Sequence, residues 1–249
     1  MIMKRIFFVI LLFLISFSSG RVAAAPPMAL GDADVVPYRH WEFWLTYSYK
    51  ELKDEKIHKA PTFEMIYGLL PRLEVGIEGT YIVEDSDGHK TDGLECVVIQ
   101  PKFLLAAEGE SRPAVALSLQ YELPTDEEKD TLCWSDAVWA AGLAAQKHFG
   151  KTLVVTQVKY FTNRHLFEKK WRYGFDVIHS VTDKLKLLAE IYAHNFSHTD
   201  KRNEVNFRLG FKYKMTDNLK LYCAAGRSLL AVEENRPLFE STGGIMLEF

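Results

Sequence analysis

Cysteine is scarce in this 249-residue chain. Cys96, Cys133 and Cys223 are odd in number and lack C-x-x-C spacing, so they indicate neither a disulfide framework nor a zinc site. Basic residues are not in excess. The formal charge is −3, which argues against a nucleic-acid partner, since that would want a basic face. Beyond residue 25 every apolar run is broken by charge within about ten residues, short of the roughly 20 that a spanning helix needs. No Gly-rich phosphate loop, pair of catalytic carboxylates or metal quartet is visible, so no cofactor, metal or catalytic residue is expected. A large chain with so few cross-links must be held by backbone pairing and packing.

What is present begins with an export signal. Lys4 and Arg5 form a basic start, residues 6–15 an apolar stretch, and Ala23-Ala24-Ala25 a small-residue cleavage site; Pro26 favours a cut after Ala24. No Cys follows the site, so it is not a lipoprotein signal. Residues 1–24 are read as a cleaved signal peptide, and the exported chain carries a formal charge near −6. Residues 25–40 are short, Pro-bearing and irregular, a periplasmic lead-in or a segment tucked into a barrel mouth. Residues 41–249 form one large domain.

From Trp41 the dominant period is two. Trp41, Phe43, Leu45, Tyr47 and Tyr49 alternate with Glu42, Trp44, Thr46, Ser48 and Lys50. Similar runs follow at Phe63–Leu69, Leu73–Val83, 94–105, Val115–Tyr121, Trp139–Ala145, 152–161 (where the alternation is blurred), Trp171–Val177, Leu185–Ile191, Val205–Tyr213, Leu219–Ala225 and Ile245–Phe249. Most suit the 9–11 residues of a tilted membrane strand, and twelve is an even number.

Connections sort by length. Short turns are expected at 70–72, 107–112, 149–151, 182–184 and 216–218. Longer polar loops are expected at 51–60, 84–92, 124–131, 162–169, 197–203 and 229–237. The two kinds alternate strictly, as short periplasmic turns and long extracellular loops do in outer-membrane barrels. A soluble sandwich has no reason to sort its loops this way. Aromatics such as Trp41, Tyr67, Tyr121, Trp139, Tyr160 and Trp171 fall near strand ends, where amphipathic rings favour the membrane boundary. The predicted class is all-β, a transmembrane antiparallel up-and-down β-barrel of about 12 strands in the bacterial outer membrane.

The chain also resembles a family. Gly31-Asp32-Ala33-Asp34-Val35-Val36-Pro37 leading into His40-Trp41-Glu42 is similar to the start of outer-membrane proteins of the "MetA-pathway of phenol degradation" family. So is the hairpin Tyr67-Gly68-Leu69-Leu70-Pro71-Arg72-Leu73-Glu74-Val75-Gly76. Leu119–Pro124 before an acidic loop, and the closing Gly243–Phe249, fit as well. The pattern departs at Arg39, where the family often has Gly. The resemblance implies an outer-membrane transporter of small, often hydrophobic or aromatic compounds. It carries over no catalytic residue.

The face opposite the apolar one should line the lumen. It presents Glu42, Glu64, Glu74 and Glu78 on early strands, with Lys102, Gln100 and Gln120. Later strands present Lys159, Arg172, Lys186, Arg208, Lys212 and Lys220, with Asp176 and Glu190 among them. Acids and bases on different walls would set a transverse field across a constriction, or would fill the lumen with ion pairs and block it. Gly68, Gly76, Gly142, Gly174, Gly210 and Gly226 on the same face are expected to leave open space. Ile245, Leu247 and Phe249 are read as the assembly signal.

The expected function is a passive channel for small solutes. The expected partners are outer-membrane lipid and lipopolysaccharide, the barrel-assembly machinery and a small-molecule solute, with the protein a monomer. Two alternatives stand beside this. One is a lipid-modifying barrel enzyme using His194 and Ser197, near His198; the other is a plugged, non-conducting barrel. Asp85-Ser86-Asp87-Gly88, near Glu84 and Asp92, resembles a calcium-loop fragment but reads better as a hairpin turn.

Overall fold

Side-chain alternation decides the architecture, because each strand places successive residues on opposite faces. The computed structural model describes residues 29–86, 89–94, 97–123, 138–163, 169–196, 204–230 and 237–249. Its strands are β1 (Trp41–Glu51), β2 (Glu55–Leu70), β3 (Leu73–Ser86), β4 (His89–Leu94), β5 (Val97–Ala106), β6 (Ala114–Leu123), β7 (Val138–Phe149), β8 (Thr152–Asn163), β9 (Lys169–Ser180), β10 (Leu185–Phe196), β11 (Glu204–Lys214), β12 (Leu219–Leu230) and β13 (Phe239–Glu248). Chain neighbours other than β4 and β5 pair antiparallel, and β1 pairs with β13, Phe43 opposite Leu247 and Leu45 opposite Ile245. Strands β4 and β5 both pair with β3 and together form one wall. The result is a closed barrel of twelve walls, as expected.

The outer face is apolar. Phe63, Leu119, Trp139, Phe175 and Leu209 are exposed, Trp139 by 56% and Leu209 by 55%. Inside, Glu42, Glu74, Asp176 and Glu190 are buried. A water-soluble protein would reverse this arrangement. Cross-strand aromatic pairs stand near the strand ends: Trp41 with Tyr67 at 4.3 Å, Tyr121 with Trp139 at 4.2 Å and Tyr160 with Trp171 at 4.7 Å.

Two expected loops are largely strand. In place of a loop over 51–60, β2 begins at Glu55 and only residues 52–54 connect it to β1. Tyr47 Oη and His58 Nδ1 hydrogen-bond at 2.9 Å, and the Tyr49 ring lies 4.9 Å from His58. In place of a loop over 84–92, β3 runs to Ser86 and β4 starts at His89. A ribbon wetted on both faces has no apolar alternation, so its polar sequence imitated a loop. The signal peptide, Asp87, Gly88, Cys96, Cys133, Ser197 and His198 lie outside the described residues.

Candidate functional site: the barrel lumen

The short connections 71–72, 107–113, 150–151, 181–184 and 215–218 share one rim, where Trp41 and Phe249 exchange backbone hydrogen bonds of 2.7 and 3.0 Å. From this turn rim residues 29–37 run inside the barrel. Three backbone N–H groups donate to wall side chains: Leu30 to Glu190 Oε1 at 2.9 Å, Ala33 to Gln146 Oε1 at 3.0 Å and Val36 to Glu74 Oε2 at 2.5 Å. Gln157 Nε2 donates to the Gly31 carbonyl at 3.3 Å. Lys102 Nζ joins segment to wall, 3.1 Å from Asp32 Oδ1 and 2.9 Å from Glu74 Oε1.

Apolar contacts back these bonds. Val36 packs with Trp44, Ile66, Tyr222 and Met246. Ala33 packs with Ala114, Ala116, Ala144 and Leu104. Burial, with the Asp32 carboxylate beside it, pushes the Asp34 carboxyl above the usual range, against a hydrogen bond with Gln146.

The segment joins β1 through a tight turn. Arg39 has φ 67°, the left-handed region that favours glycine. Its N–H donates to the Gly68 carbonyl at 2.8 Å, and Gly68 N–H donates to His40 O at 3.0 Å. Arg39 therefore keeps the turn that a glycine would make more cheaply. Gly68 has no such substitute, since a Cβ there would lie 1.9 Å from Pro37 O.

Beyond the segment, towards the other rim, opens a cavity of about 910 Å³, with Leu30, Gly31 and Asp32 among its lining. Charge is sorted around it. Glu64 stands opposite Glu78 on β2 and β3, and Lys159 opposite Arg172 on β8 and β9. Glu64, Glu78 and Glu122 all lie within electrostatic reach of Lys159. Gln100 Nε2 donates to Glu64 Oε1 at 2.5 Å, and Gln120 Nε2 to Glu122 Oε1 at 2.6 Å, while Lys159 Nζ donates to Gln120 Oε1. The basic wall surrounds Phe161, with Lys159, Lys170 and Arg172 at 5.3, 5.8 and 5.1 Å from its ring centre.

Of the residues singled out from sequence, Glu74, Glu78, Lys102, Gln120, Arg172 and Arg208 line this cavity. Asp176 and Glu190 are buried opposite each other on β9 and β10. Lys212 Nζ lies 5.2 Å from the Trp44 ring centre, and Lys220 pairs with Glu248. Ile245 and Leu247 lie on the β1–β13 seam. His194 also lines the cavity, its ring edge-on to Tyr192 at 5.4 Å.

Sequence reasoning missed Glu240, Glu122, Lys170, Tyr192 and the central place of Phe161. Arg208 is held by Glu240, Nε to Oε1 at 2.6 Å and Nη2 to Oε2 at 2.8 Å, with Tyr192 Oη donating to Glu240 Oε1 at 3.0 Å. The alternation Glu240, Thr242, Gly244, Met246, Glu248 could have found Glu240, had the last strand been started before Gly243.

The lumen glycines need correcting as well. They do not leave open space: an added Cβ would meet backbone at Gly68, Gly174 and Gly210, and long side chains lie across Gly76, Gly142 and Gly226. Gln100 crosses Gly76 towards Glu64, Lys159 crosses Gly142 towards Gln120, and Arg208 crosses Gly226 towards Glu240. An added Cβ would come within 3.0, 3.0 and 2.7 Å of the Cγ atoms of Gln100, Lys159 and Arg208.

Comparison with solved structures finds the same barrel elsewhere. An outer membrane channel from Pseudomonas putida F1 superposes with TM-score 0.72 at 16% identity, over 89% of this chain and 100% of that one. The NanC porin gives 0.59 at 7% identity, over 82% and 98%. The KdgM porin gives 0.57 at 10% identity, over 83% and 99%. Identities this low establish a shared fold. No protein-family model and no curated protein sequence matches the chain.

Proposed function

We propose that this barrel, which has the fold of outer-membrane channels and porins, is a passive channel for small solutes in a bacterial outer membrane. The observation that carries the reading is the charged, sign-sorted cavity inside a shell of exposed apolar residues. A lumen lined by ions stays wet, whereas an apolar one of that width would dewet and close. The KdgM porin has been seen in complex with oligogalacturonate, so a barrel of this fold can accommodate a solute. Hydrophobic or aromatic compounds are among the candidates. The protein acts without catalysis, as a monomer embedded in lipid and lipopolysaccharide, and Ile245, Leu247 and Phe249 present its closing strand to the assembly machinery. Purified protein in planar bilayers should carry a small, steady ionic current, and liposomes containing it should swell in small sugars.

The internal segment favours a second reading, a plugged barrel that conducts nothing. Its backbone hydrogen bonds to Glu190, Gln146, Glu74 and Gln157 and its two apolar clusters hold it firmly across the turn-rim half of the lumen. Absence of both current and swelling in the parent protein would replace the channel by this plug.

A further inference from the structure

We propose that the basic wall of the cavity is a binding site for a small organic carboxylate, formed by Lys159, Arg172 and Lys170 around Phe161. The proposal rests on the channel reading and names the class of solute.

The argument begins with charge that the protein leaves uncompensated. Lys159 and Arg172 face each other across β8 and β9, and like charges in that position repel. Among the described residues neither forms an ion pair, and the buried Arg172 Nε has no hydrogen-bond partner. Three other lumen cations are neutralised where they stand: Lys102 by Asp32 and Glu74, Arg208 by Glu240, Lys220 by Glu248. The nearest link from Lys159 to an acid runs through an amide, Gln120, which donates to Glu122.

Beside Lys159 and Arg172 an aromatic ring takes the place that a carboxylate holds elsewhere. Phe161 lies within 5.8 Å of all three cations. The face of a ring attracts each cation but adds no net negative charge. The positive potential therefore remains available to a mobile anion.

A carboxylate suits the site because it can accept charge-assisted hydrogen bonds from the guanidinium and the ammonium together. Phe161, with Val138 and Ile82 in the same cavity, offers apolar surface to the ligand body. Glu64 and Glu78 repel the anion from the opposite wall and so orient it. A cavity of about 910 Å³ has ample room for a molecule of one ring.

The test uses the full chain in planar bilayers with benzoate as the probe and benzyl alcohol as its uncharged counterpart. Benzoate at millimolar concentration should reduce the current, benzyl alcohol should not, and block should weaken several-fold from about 0.1 M to about 1 M salt as charge is screened. Lys159→Met with Arg172→Leu should raise the half-blocking concentration about tenfold or more. Arg172→Lys should keep part of the effect and Lys151→Met, on an exposed turn, all of it. Equal block by the alcohol, or undiminished block in a double variant that still migrates differently unboiled and boiled on a denaturing gel, would overturn the site. A current that benzoate leaves untouched overturns the site and keeps the channel. If the parent carries no current, benzoate is titrated calorimetrically against detergent-solubilised protein. Charge-dependent binding there upholds the site while the channel reading fails, and no binding overturns both.

Discussion

Arg208 and Glu240 stand two strands apart and meet over Gly226, which is in register with both. The guanidinium takes both carboxylate oxygens, and its Nη1 also lies 4.0 Å from Glu190 Oε2. Breaking a buried pair from one side leaves an uncompensated charge, at a cost of about 3–5 kcal/mol. Arg208→Gln should therefore lower the temperature at which unboiled protein loses its compact gel mobility. Gly226→Ala should do so by the smaller cost of overpacking, about 1–3 kcal/mol, because its methyl would press on Phe207 O and the Arg208 side chain. An unchanged transition in Arg208→Gln would mean that the pair contributes nothing.

This pair also marks where sequence reading stops. The barrel was legible because period-two alternation, loop sorting and the apolar last strand are each local signals. Which long side chain crosses which glycine depends on register between strands distant in sequence, so the partner of Arg208 could not be named and Gly226 read as a gap. The blur over 152–161 has a similar origin. Val155 packs inside the barrel with Ile178, Leu188 and Leu153, and Phe161 lines the cavity, so the inner face of β8 mixes apolar residues with Gln157 and Lys159. The segment 29–37 carried a recognisable motif, but its position in the lumen comes from backbone N–H groups that every residue type except proline shares.

A pH effect is expected at the turn rim. Glu108 is raised by burial, but side-chain and backbone hydrogen bonds from His148, at 2.8 and 2.9 Å, and the Lys147 ammonium outweigh this and hold its carboxyl below the usual range. For an acid with a depressed folded pKa, the stabilisation is complete above the unfolded value of about 4.3 and is lost as pH falls through the folded one. Unfolding in urea should accordingly be faster in Glu108→Gln than in the parent at neutral pH. The gap should narrow as pH drops from about 5 to about 3. A gap that stays constant over that range would contradict the assignment.

The hold on the internal segment can be read by thiol labelling. With the native cysteines replaced, a cysteine at Ala33, which is fully buried, should label slowly. Gln146→Ala removes the acceptor of the Ala33 N–H, and a buried unsatisfied donor costs about 1–3 kcal/mol. Labelling should then speed up roughly tenfold or more. Asp34→Asn should slow it, because burial beside Asp32 disfavours the charged carboxyl in the docked segment. Equal rates in all three proteins would show that neither group governs docking.

Gly68 and Gly79 make a matched pair on neighbouring strands. An added methyl at Gly68 would collide with backbone, 1.9 Å from Pro37 O and 2.6 Å from Val36 O, whereas a methyl at Gly79 would meet nothing within 4 Å. Gly68 N–H and carbonyl both bond the turn at residues 39–40, so the collision falls where the segment leaves the lumen. The barrel pairing of β2 with β1 and β3 lies on the other side of that contact and has no cause to change. Gly68→Ala should therefore displace the segment, enlarge the single-channel current several-fold and speed labelling at position 33. Its folded gel shift should be retained. Gly79→Ala should leave current and labelling as they are, and should add up to about 0.5–1 kcal/mol of stability through the lower backbone entropy of alanine. If Gly68→Ala conducts like the parent while labelling rises, the segment is not what limits the current. The narrowest point would then be the charged level between Glu64 and Lys159.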